Sequence, residues 1–230
     1  MAKPHILMLT PYLPYPPTSG GRSRTYNLVK RLRDDYTITL VCFGRPEERA
    51  FDLEPMRELC DLIVVDRAPS PSTLKAGLLS LTSLKPVTMR LYRTPEMQRT
   101  IARVLAEKPI DLIHVESFYM LQNLPAQPAV PVLLSEPAIE YVAWGRHAQV
   151  AKSWLARPGI ALEALKMRFW EPRAWAEATV VGVMSDVDAR AVKRATPGVL
   201  TVLAPNGVDT DYFHADPSVR RDSRTEVYIG

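Results

Sequence analysis

Short apolar runs alternate along the chain with longer segments of helical period. Seven of these runs are mostly continuous rather than alternating, which is typical of parallel strands that are covered on both faces. The predicted strands are His5–Thr10, Thr37–Phe43, Leu62–Asp66, Leu112–Glu116, Val130–Ser135, Thr179–Met184 and Leu200–Ala204. Because predicted strands and helices alternate along the chain, the pattern predicts an α/β fold: an open parallel sheet of about seven strands with helices on both faces.

One of the intervening helices is marked clearly in the sequence. Thr94 is a capping residue, Pro95 suits the first turn, and Met97, Ile101 and Val104 share one apolar stripe. We therefore predict a helix that starts at Pro95 and buries one face.

Composition and charge narrow the class of protein. The 230 residues are 47% hydrophobic and 23% charged, which suits one large domain, and the net charge is +4. Because the basic residues are not interleaved with stacking aromatic residues, we do not expect nucleic acid as a partner. Cys42 and Cys60 are too few for a disulfide framework, which indicates a reducing, cytoplasmic setting. No signal peptide and no membrane-spanning apolar segment is evident, so membrane contact would be peripheral, at the inner face.

The loops after the strands are the natural ligand sites of such a sheet. After the first strand, Gly20 and Gly21 allow a backbone to approach a ligand closely, and a helix that starts there can bind an anion. Arg22 and Arg24 would add positive charge. A plain turn with a helix cap also explains the glycine pair, and is the more common reason for an isolated Gly-Gly. The spacing matches neither a dinucleotide fingerprint nor a P-loop, and the scattered histidines indicate no metal site.

Acidic residues follow the fourth and fifth predicted strands. Glu116 ends the fourth strand, Ser117 follows it, and Glu136 and Glu140 follow the fifth. Carboxylates accept pairs of hydroxyl hydrogen bonds, so these four residues are candidate sugar or acceptor contacts, and Glu116 and Glu136 are candidate catalytic residues. If a helix begins near Pro137, Glu140 lies in its first turn, where the helix dipole alone favours a carboxylate.

Four motifs together resemble a known family. The stretches "PYPPTSGGRSRTYNLVKRL", "DLIHVES", "FWEPRAWAEATVVGVMSDVDA" and "VLAPNGVDTDYF" resemble the amino-terminal domain of GT-B glycosyltransferases of family 4, which retain anomeric configuration. The resemblance implies a Rossmann-like sheet that forms the first half of a GT-B fold. It also implies transfer of a sugar from a nucleotide-diphosphate sugar to an acceptor hydroxyl, in polysaccharide, glycolipid or other cell-surface glycan synthesis, without cofactor or metal.

The resemblance assigns roles to several residues. Gly20 and Gly21 match the glycine loop that approaches the donor diphosphate and the acceptor, with Arg22 and Arg24 beside it. The cleft and interdomain loops are matched by Ser185, Asp186, Asn206, Gly207 and Asp209. Many relatives carry a histidine where this chain has Pro137. The catalytic base is therefore not carried over, and the donor phosphate takes that role in the mechanism proposed for retaining enzymes.

The resemblance also divides the chain. Residues 1–215 are predicted to form the acceptor-side domain, and residues 216–230 a linker and the first strand of a missing carboxyl-terminal, donor-binding domain. The fragment alone is then expected to be inactive. Two alternatives stay open: a nucleotide-sugar epimerase of the same architecture, and a non-catalytic module that binds a sugar or nucleotide.

A stretch near residue 160 suggests a membrane partner. The segment "SWLARPGIALEALKMRFWEPRAW" mixes aromatic and basic residues, which suits a lipid headgroup layer and a glycan or lipid-linked acceptor. Packing against the sheet or against a partner domain explains the same residues.

Overall fold

The computed structural model describes residues 3–69 and 71–210. The predicted linker and second-domain strand, residues 216–230, lie outside the described residues, as do residues 211–215 of the predicted first domain.

The described chain folds around one seven-stranded sheet in which every neighbouring pair is parallel. The order across the sheet is β3-β2-β1-β4-β5-β6-β7. The strands are β1 His5–Thr10, β2 Thr37–Gly44, β3 Asp61–Asp66, β4 Leu112–Glu116, β5 Val132–Glu136, β6 Val180–Val183 and β7 Leu200–Leu203. The fold is therefore the predicted Rossmann-like α/β sheet, and all seven predicted strands are confirmed.

Helices connect the strands on both faces. They are α1 Gly20–Leu32, α2 Glu54–Arg57, α3 Thr73–Leu81, α4 Val87–Leu91, α5 Pro95–Glu107, α6 Phe118–Leu121, α7 Glu140–Val150, α8 Arg157–Glu177 and α9 Asp186–Ala195, with a 3-10 helix at Pro46–Ala50. On one face, α1 and α2 bury Val29 and Met56 against β1 and β2. On the other face, a larger core holds residues of α5, α6, α8 and α9 against the sheet, including Trp175.

Burial explains why the strands are continuous apolar runs. All six residues of β1 are buried, because helices cover this central strand on both faces. β7, at the sheet edge, is mostly exposed.

Local signals set the element boundaries. The predicted cap of α5 is confirmed, since the Thr94 hydroxyl accepts a hydrogen bond from the Met97 backbone at 3.1 Å. β5 begins at Val132 rather than Val130, because Pro131 has no N–H for a strand ladder and restricts the residue before it.

Candidate functional site

The reversal of strand order occurs between β1 and β4. The chain leaves β1 toward β2 and β3 on one side, and continues from β4 toward β7 on the other. In an open parallel sheet, the carboxyl ends of the two strands at such a switch point border a crevice that binds ligands. Here that position is occupied by Tyr12, the start of α1 and Glu116.

Glu116 is the centre of a buried hydrogen-bond network at this point. Its side chain accepts from the Tyr12 hydroxyl at 2.9 Å, the Thr25 hydroxyl at 3.1 Å and the Arg24 guanidinium at 3.1 Å. Glu116 is 0% exposed. We call these four residues the Glu116 centre. Both carboxylate oxygens are engaged, so the centre fixes the side chains of Tyr12 and Arg24 against β4.

The predicted glycine pair forms the first turn of α1 rather than a loop before it. A Cβ on Gly21 would lie 2.8 Å from the Tyr12 hydroxyl oxygen, whereas a Cβ on Gly20 would meet nothing within 4 Å. Gly21 therefore lets α1 pack closely on the Glu116 centre. Gly20 faces open space at the helix start, where backbone N–H groups are free of intrahelical partners.

The loop after β7 is tied back to α1. Arg24, which pairs with Glu116, also donates from Nε to the Asn206 side-chain oxygen at 3.1 Å. Asp209 forms an ion pair with Arg31 of α1 at 3.7 Å. The predicted interdomain loop and the predicted glycine segment thus meet at the switch point, although 182 positions separate Arg24 from Asn206.

Arg22 lies away from the Glu116 centre. Its guanidinium pairs with the buried Glu48 side chain, beside a cleft of about 320 Å³ at the carboxyl ends of β2 and β3. The cleft's own arginines are matched by acids, among them Arg49, which pairs with Asp66. Of the two predicted helper arginines, only Arg24 is brought to the switch point.

A second carboxyl cluster lies at the end of β5. Glu136 is 0% exposed, and it accepts a hydrogen bond from the indole of Trp175 at 3.1 Å. Its Oε2 atom has no hydrogen-bond partner among the described residues. Glu171 of α8 accepts from the backbone N–H groups of Glu140 and Tyr141 at 2.8 and 2.9 Å, and so caps α7. We call Glu136, Glu140, Glu171 and Trp175 the Glu136 centre.

Burial favours the protonated form of the acids in the Glu136 centre. Burial, with a further contribution from the Glu171 carboxyl group, raises the pKa of Glu136 well above its usual range, and the Trp175 N–H opposes this only in part. Burial also raises the pKa of Glu171 to about 8, against the two N–H groups that it accepts. Burial raises the pKa of Glu140 as well. The centre therefore holds neutral carboxylic acid at neutral pH, which can donate a hydrogen bond.

Two residues near Glu116 are unusual in other ways. Ser117 has a φ of 71°, a left-handed conformation that is strained for a residue with a side chain, and its N–H donates to the Ser135 oxygen at 2.9 Å. His114 shares the β4 face of Glu116, and burial lowers its pKa. Strain of this kind clusters at functional sites.

The remaining predicted residues lie farther along the same sheet edge. Ser185 caps α9: its hydroxyl accepts from the Asp188 N–H at 3.2 Å. Asp186 and Gly207 are exposed. Glu140 lies in the first turn of α7, as predicted.

Sequence reasoning missed Tyr12, Thr25, Glu171 and Trp175. Glu171 could have been found, because it interrupts the otherwise apolar stripe formed by Met167, Ala174 and Trp175 on α8. Tyr12 and Thr25 carry no such signal, since their importance depends on the contact between α1 and β4.

Neither metal ligands nor a membrane span emerge in the part of the chain that the structure describes. No group of three or more His, Cys, Asp or Glu side chains there could hold a metal ion. No helix within the described ranges is both long and apolar enough to cross a bilayer.

Comparison with known proteins gives matches of structure but not of sequence. No family model and no curated protein sequence matches the chain. The structure is similar to that of sucrose-phosphate synthase from Thermosynechococcus elongatus, with a TM-score of 0.63 and 15% identity over 92% of this chain and 50% of that chain. It also matches Medicago truncatula UGT71G1 complexed with UDP-glucose, with a TM-score of 0.49 and 11% identity over 95% of this chain and 55% of that one. The chain spans about half the length of the solved structures that it matches. The first match supports a GT-B type of domain at the level of the fold.

Proposed function

We propose that the chain is the acceptor-side domain of a retaining GT-B glycosyltransferase of family 4. In this proposal the enzyme transfers a sugar from a nucleotide-diphosphate sugar to an acceptor hydroxyl during glycan synthesis, and needs no metal. A second domain would hold most of the donor. The proposal is supported by the fold and by the arrangement of side chains at the switch point.

One observation carries the proposal. The start of α1, the end of β4 and the loop after β7 meet at Arg24, which contacts both Glu116 and Asn206. These are three of the four segments that carry the family resemblance. Their convergence at the carboxyl edge is what a cleft between two such domains requires.

The start of α1, Arg24 and Glu116 would have different roles in this reaction. The free N–H groups at the start of α1 would stabilise the charge that develops on the leaving diphosphate, and Gly20 leaves room for its close approach. Arg24 lies at the same place as a hydrogen-bond donor, although its charge is balanced by Glu116. Glu116 has both oxygens engaged, so it acts as a positioning residue that holds Arg24 and Tyr12.

The Glu136 centre would serve the acceptor side. Glu140 is the acid of this centre that is partly exposed, and burial raises its pKa, which favours the protonated form that could donate a hydrogen bond to an acceptor oxygen. Glu136 and Glu171 are fully buried and would act as positioning residues. No residue of this centre is assigned as the base. The donor phosphate remains our proposal for that role.

The test uses the protein with both domains and a panel of nucleotide-diphosphate sugars. We expect release of nucleoside diphosphate that depends on an acceptor, and NMR of the product should show the donor's anomeric configuration. The 230-residue chain alone should be inactive. Inverted products would overturn the retaining mechanism. Interconversion of the donor sugar without acceptor would establish the epimerase, and binding without turnover would establish the non-catalytic module.

A further inference from the structure

Two segments hold all of the chain's excess positive charge. Residues 67–95 and 141–170 together contain ten basic residues and one acidic residue, a net charge of +9. The other 171 residues contain 19 basic and 24 acidic residues, a net charge of −5. The single acid of the two segments, Glu163, is 5% exposed and is paired with Lys166. No acidic side chain of these segments therefore reaches the surface.

The same two segments expose most of the apolar surface. In the described part of the chain, eleven large apolar side chains are more than half exposed, and eight of them lie here. The eight are Leu78, Leu81, Leu84, Val150, Trp154, Leu155, Leu165 and Phe169. We call them, with four of the exposed basic residues of these segments (Lys75, Arg146, Lys152 and Arg168), the basic apolar surface.

Buried contacts join the two segments. Glu163 of α8 accepts from the Ser80 hydroxyl and from the Val87 N–H, both at 2.6 Å, so that α8 is fixed to α3 and α4. The indole of Trp170 donates to the Leu84 oxygen at 3.0 Å. The two segments therefore present their exposed side chains from elements that are packed together.

These contacts refine the membrane prediction made from sequence for residues 153–175. Lys166 and Trp170 make hydrogen bonds to other residues of the protein, whereas Leu165, Arg168 and Phe169 are exposed. Six of the eight exposed apolar residues lie outside α8. Trp154 and Leu155 are part of the segment identified from sequence, whereas Leu78, Leu81, Leu84 and Val150 are brought beside it by the fold.

We propose that the basic apolar surface docks on an anionic lipid bilayer. Exposed Trp and Leu side chains enter the boundary between headgroups and acyl chains, while Lys and Arg side chains contact anionic headgroups. A protein partner would fit less well, because the centres of protein interfaces are depleted in charged residues. α3 and α7 follow the carboxyl ends of β3 and β5, so the bilayer would lie on the carboxyl side of the sheet. Only the link to a lipid-borne acceptor rests on the proposed function; lipid binding does not.

The test is cosedimentation of the intact chain with vesicles. Vesicles of phosphatidylcholine with phosphatidylglycerol should bind the protein at about 0.15 M salt and release it at about 1 M, whereas vesicles of phosphatidylcholine alone should bind weakly. The double variants Trp154→Ser/Leu155→Ser and Leu81→Ser/Leu84→Ser should each bind at least about tenfold more weakly. Lys152→Glu/Arg168→Glu should weaken binding to the anionic vesicles in the same way.

The controls lie outside the two segments. Val187→Ser changes an apolar residue that is 63% exposed on α9, and Lys30→Glu reverses an exposed charge on α1. Both should bind like the wild type, and circular dichroism should show every variant folded. The proposal is overturned if the wild type does not bind, if the controls lose binding equally, or if the apolar variants abolish a dimer in ultracentrifugation while vesicle binding is unchanged. Sugar transfer is measured separately, so either proposal can fail alone.

Discussion

Two glutamates end neighbouring strands of one sheet, and their surroundings differ. Glu116 ends β4 and Glu136 ends β5, and both are 0% exposed. Glu116 accepts three side-chain hydrogen bonds, one of them from the cation Arg24. Glu136 accepts a side-chain hydrogen bond from Trp175, and the ionisable group that most affects its pKa is another carboxyl group, that of Glu171.

The difference shows two ways to bury an acid. A buried carboxylate is stable when a cation and hydroxyl donors replace its hydration, as in the Glu116 centre. Without a cation, a buried carboxyl group beside another acid is more stable with its proton, as in the Glu136 centre. The first centre holds an ion pair beside the proposed diphosphate site. The second holds neutral acids, which would not repel the diphosphate of the proposed donor.

Removing the cation of the Glu116 centre should have the largest effect. In Arg24→Met, Glu116 stays buried without its ion-pair partner, and we expect the free energy of unfolding to fall by about 3 kcal/mol. Denaturant unfolding near pH 7 measures this. In Arg24→Met/Glu116→Gln the uncompensated charge is gone, so part of the stability should return. Equal losses in the single and double variants would show that the ion pair is not what stabilises the centre.

The Glu136 centre should make stability depend on pH. The folded protein keeps protons that the unfolded chain releases above the ordinary glutamate pKa of 4.5. The contribution of this centre to the free energy of unfolding should therefore be greatest near or below pH 4.5. It should fall as the pH rises toward about 8, the pKa of Glu171. Each raised group contributes a slope of at most about 1.4 kcal/mol per pH unit.

Glu136→Gln isolates one group of that slope. The amide resembles the protonated acid but cannot ionise. As the pH rises from about 6 to 7, the free energy of unfolding should therefore fall by about 1 kcal/mol less in the variant than in the wild type. Glu177→Gln, at the exposed end of α8, is the matched control. Parallel stability curves for wild type and Glu136→Gln would mean that Glu136 is not protonated.

The fold was largely predictable from the sequence. Parallel strands covered on both faces need continuous apolar runs, and the fully buried β1 is the clearest example, whereas β7 is apolar but mostly exposed at the sheet edge. The sequence also placed Gly21, Glu116 and Asn206 at one edge of the sheet. It could not predict that Arg24 joins Glu116 to Asn206, because that contact depends on strand order and on the path of the loop after β7.

The sequence also does not predict the difference between Glu116 and Glu136. Both follow an apolar run and end a strand, so local sequence treats them alike. The partners that separate them come from distant elements: Arg24 lies on α1, and Trp175 and Glu171 lie on α8. Tertiary contacts, not strand pattern, decide which acid is paired with a cation.

The glycine pair offers a sharper test of the Glu116 centre. Gly21→Ala would push the Tyr12 hydroxyl away from Glu116, and we expect a loss of about 1 kcal/mol in stability. Gly20→Ala meets open space and should stay within about 0.5 kcal/mol of the wild type. Thermal unfolding of both variants, with turnover measured in the proposed two-domain enzyme, separates the effect on packing from the effect on ligand binding. Lower turnover in Gly20→Ala at unchanged stability would support close approach of a ligand there, and equal stability losses in both would contradict the packing described for Gly21.

The contact between Arg24 and Asn206 should contribute least to stability. It is an exposed hydrogen bond, so Asn206→Ala should lower the free energy of unfolding by at most about 0.5 kcal/mol. Asp209 still pairs with Arg31, which keeps the loop near α1 in the variant. If the loop helps to orient Arg24 toward a donor, the KM for the nucleotide sugar should rise while the pH dependence set by the Glu136 centre stays the same. If Asn206→Ala changed how the free energy of unfolding depends on pH, the Glu116 and Glu136 centres would be coupled. The two glutamates could then not be treated as independent buried acids.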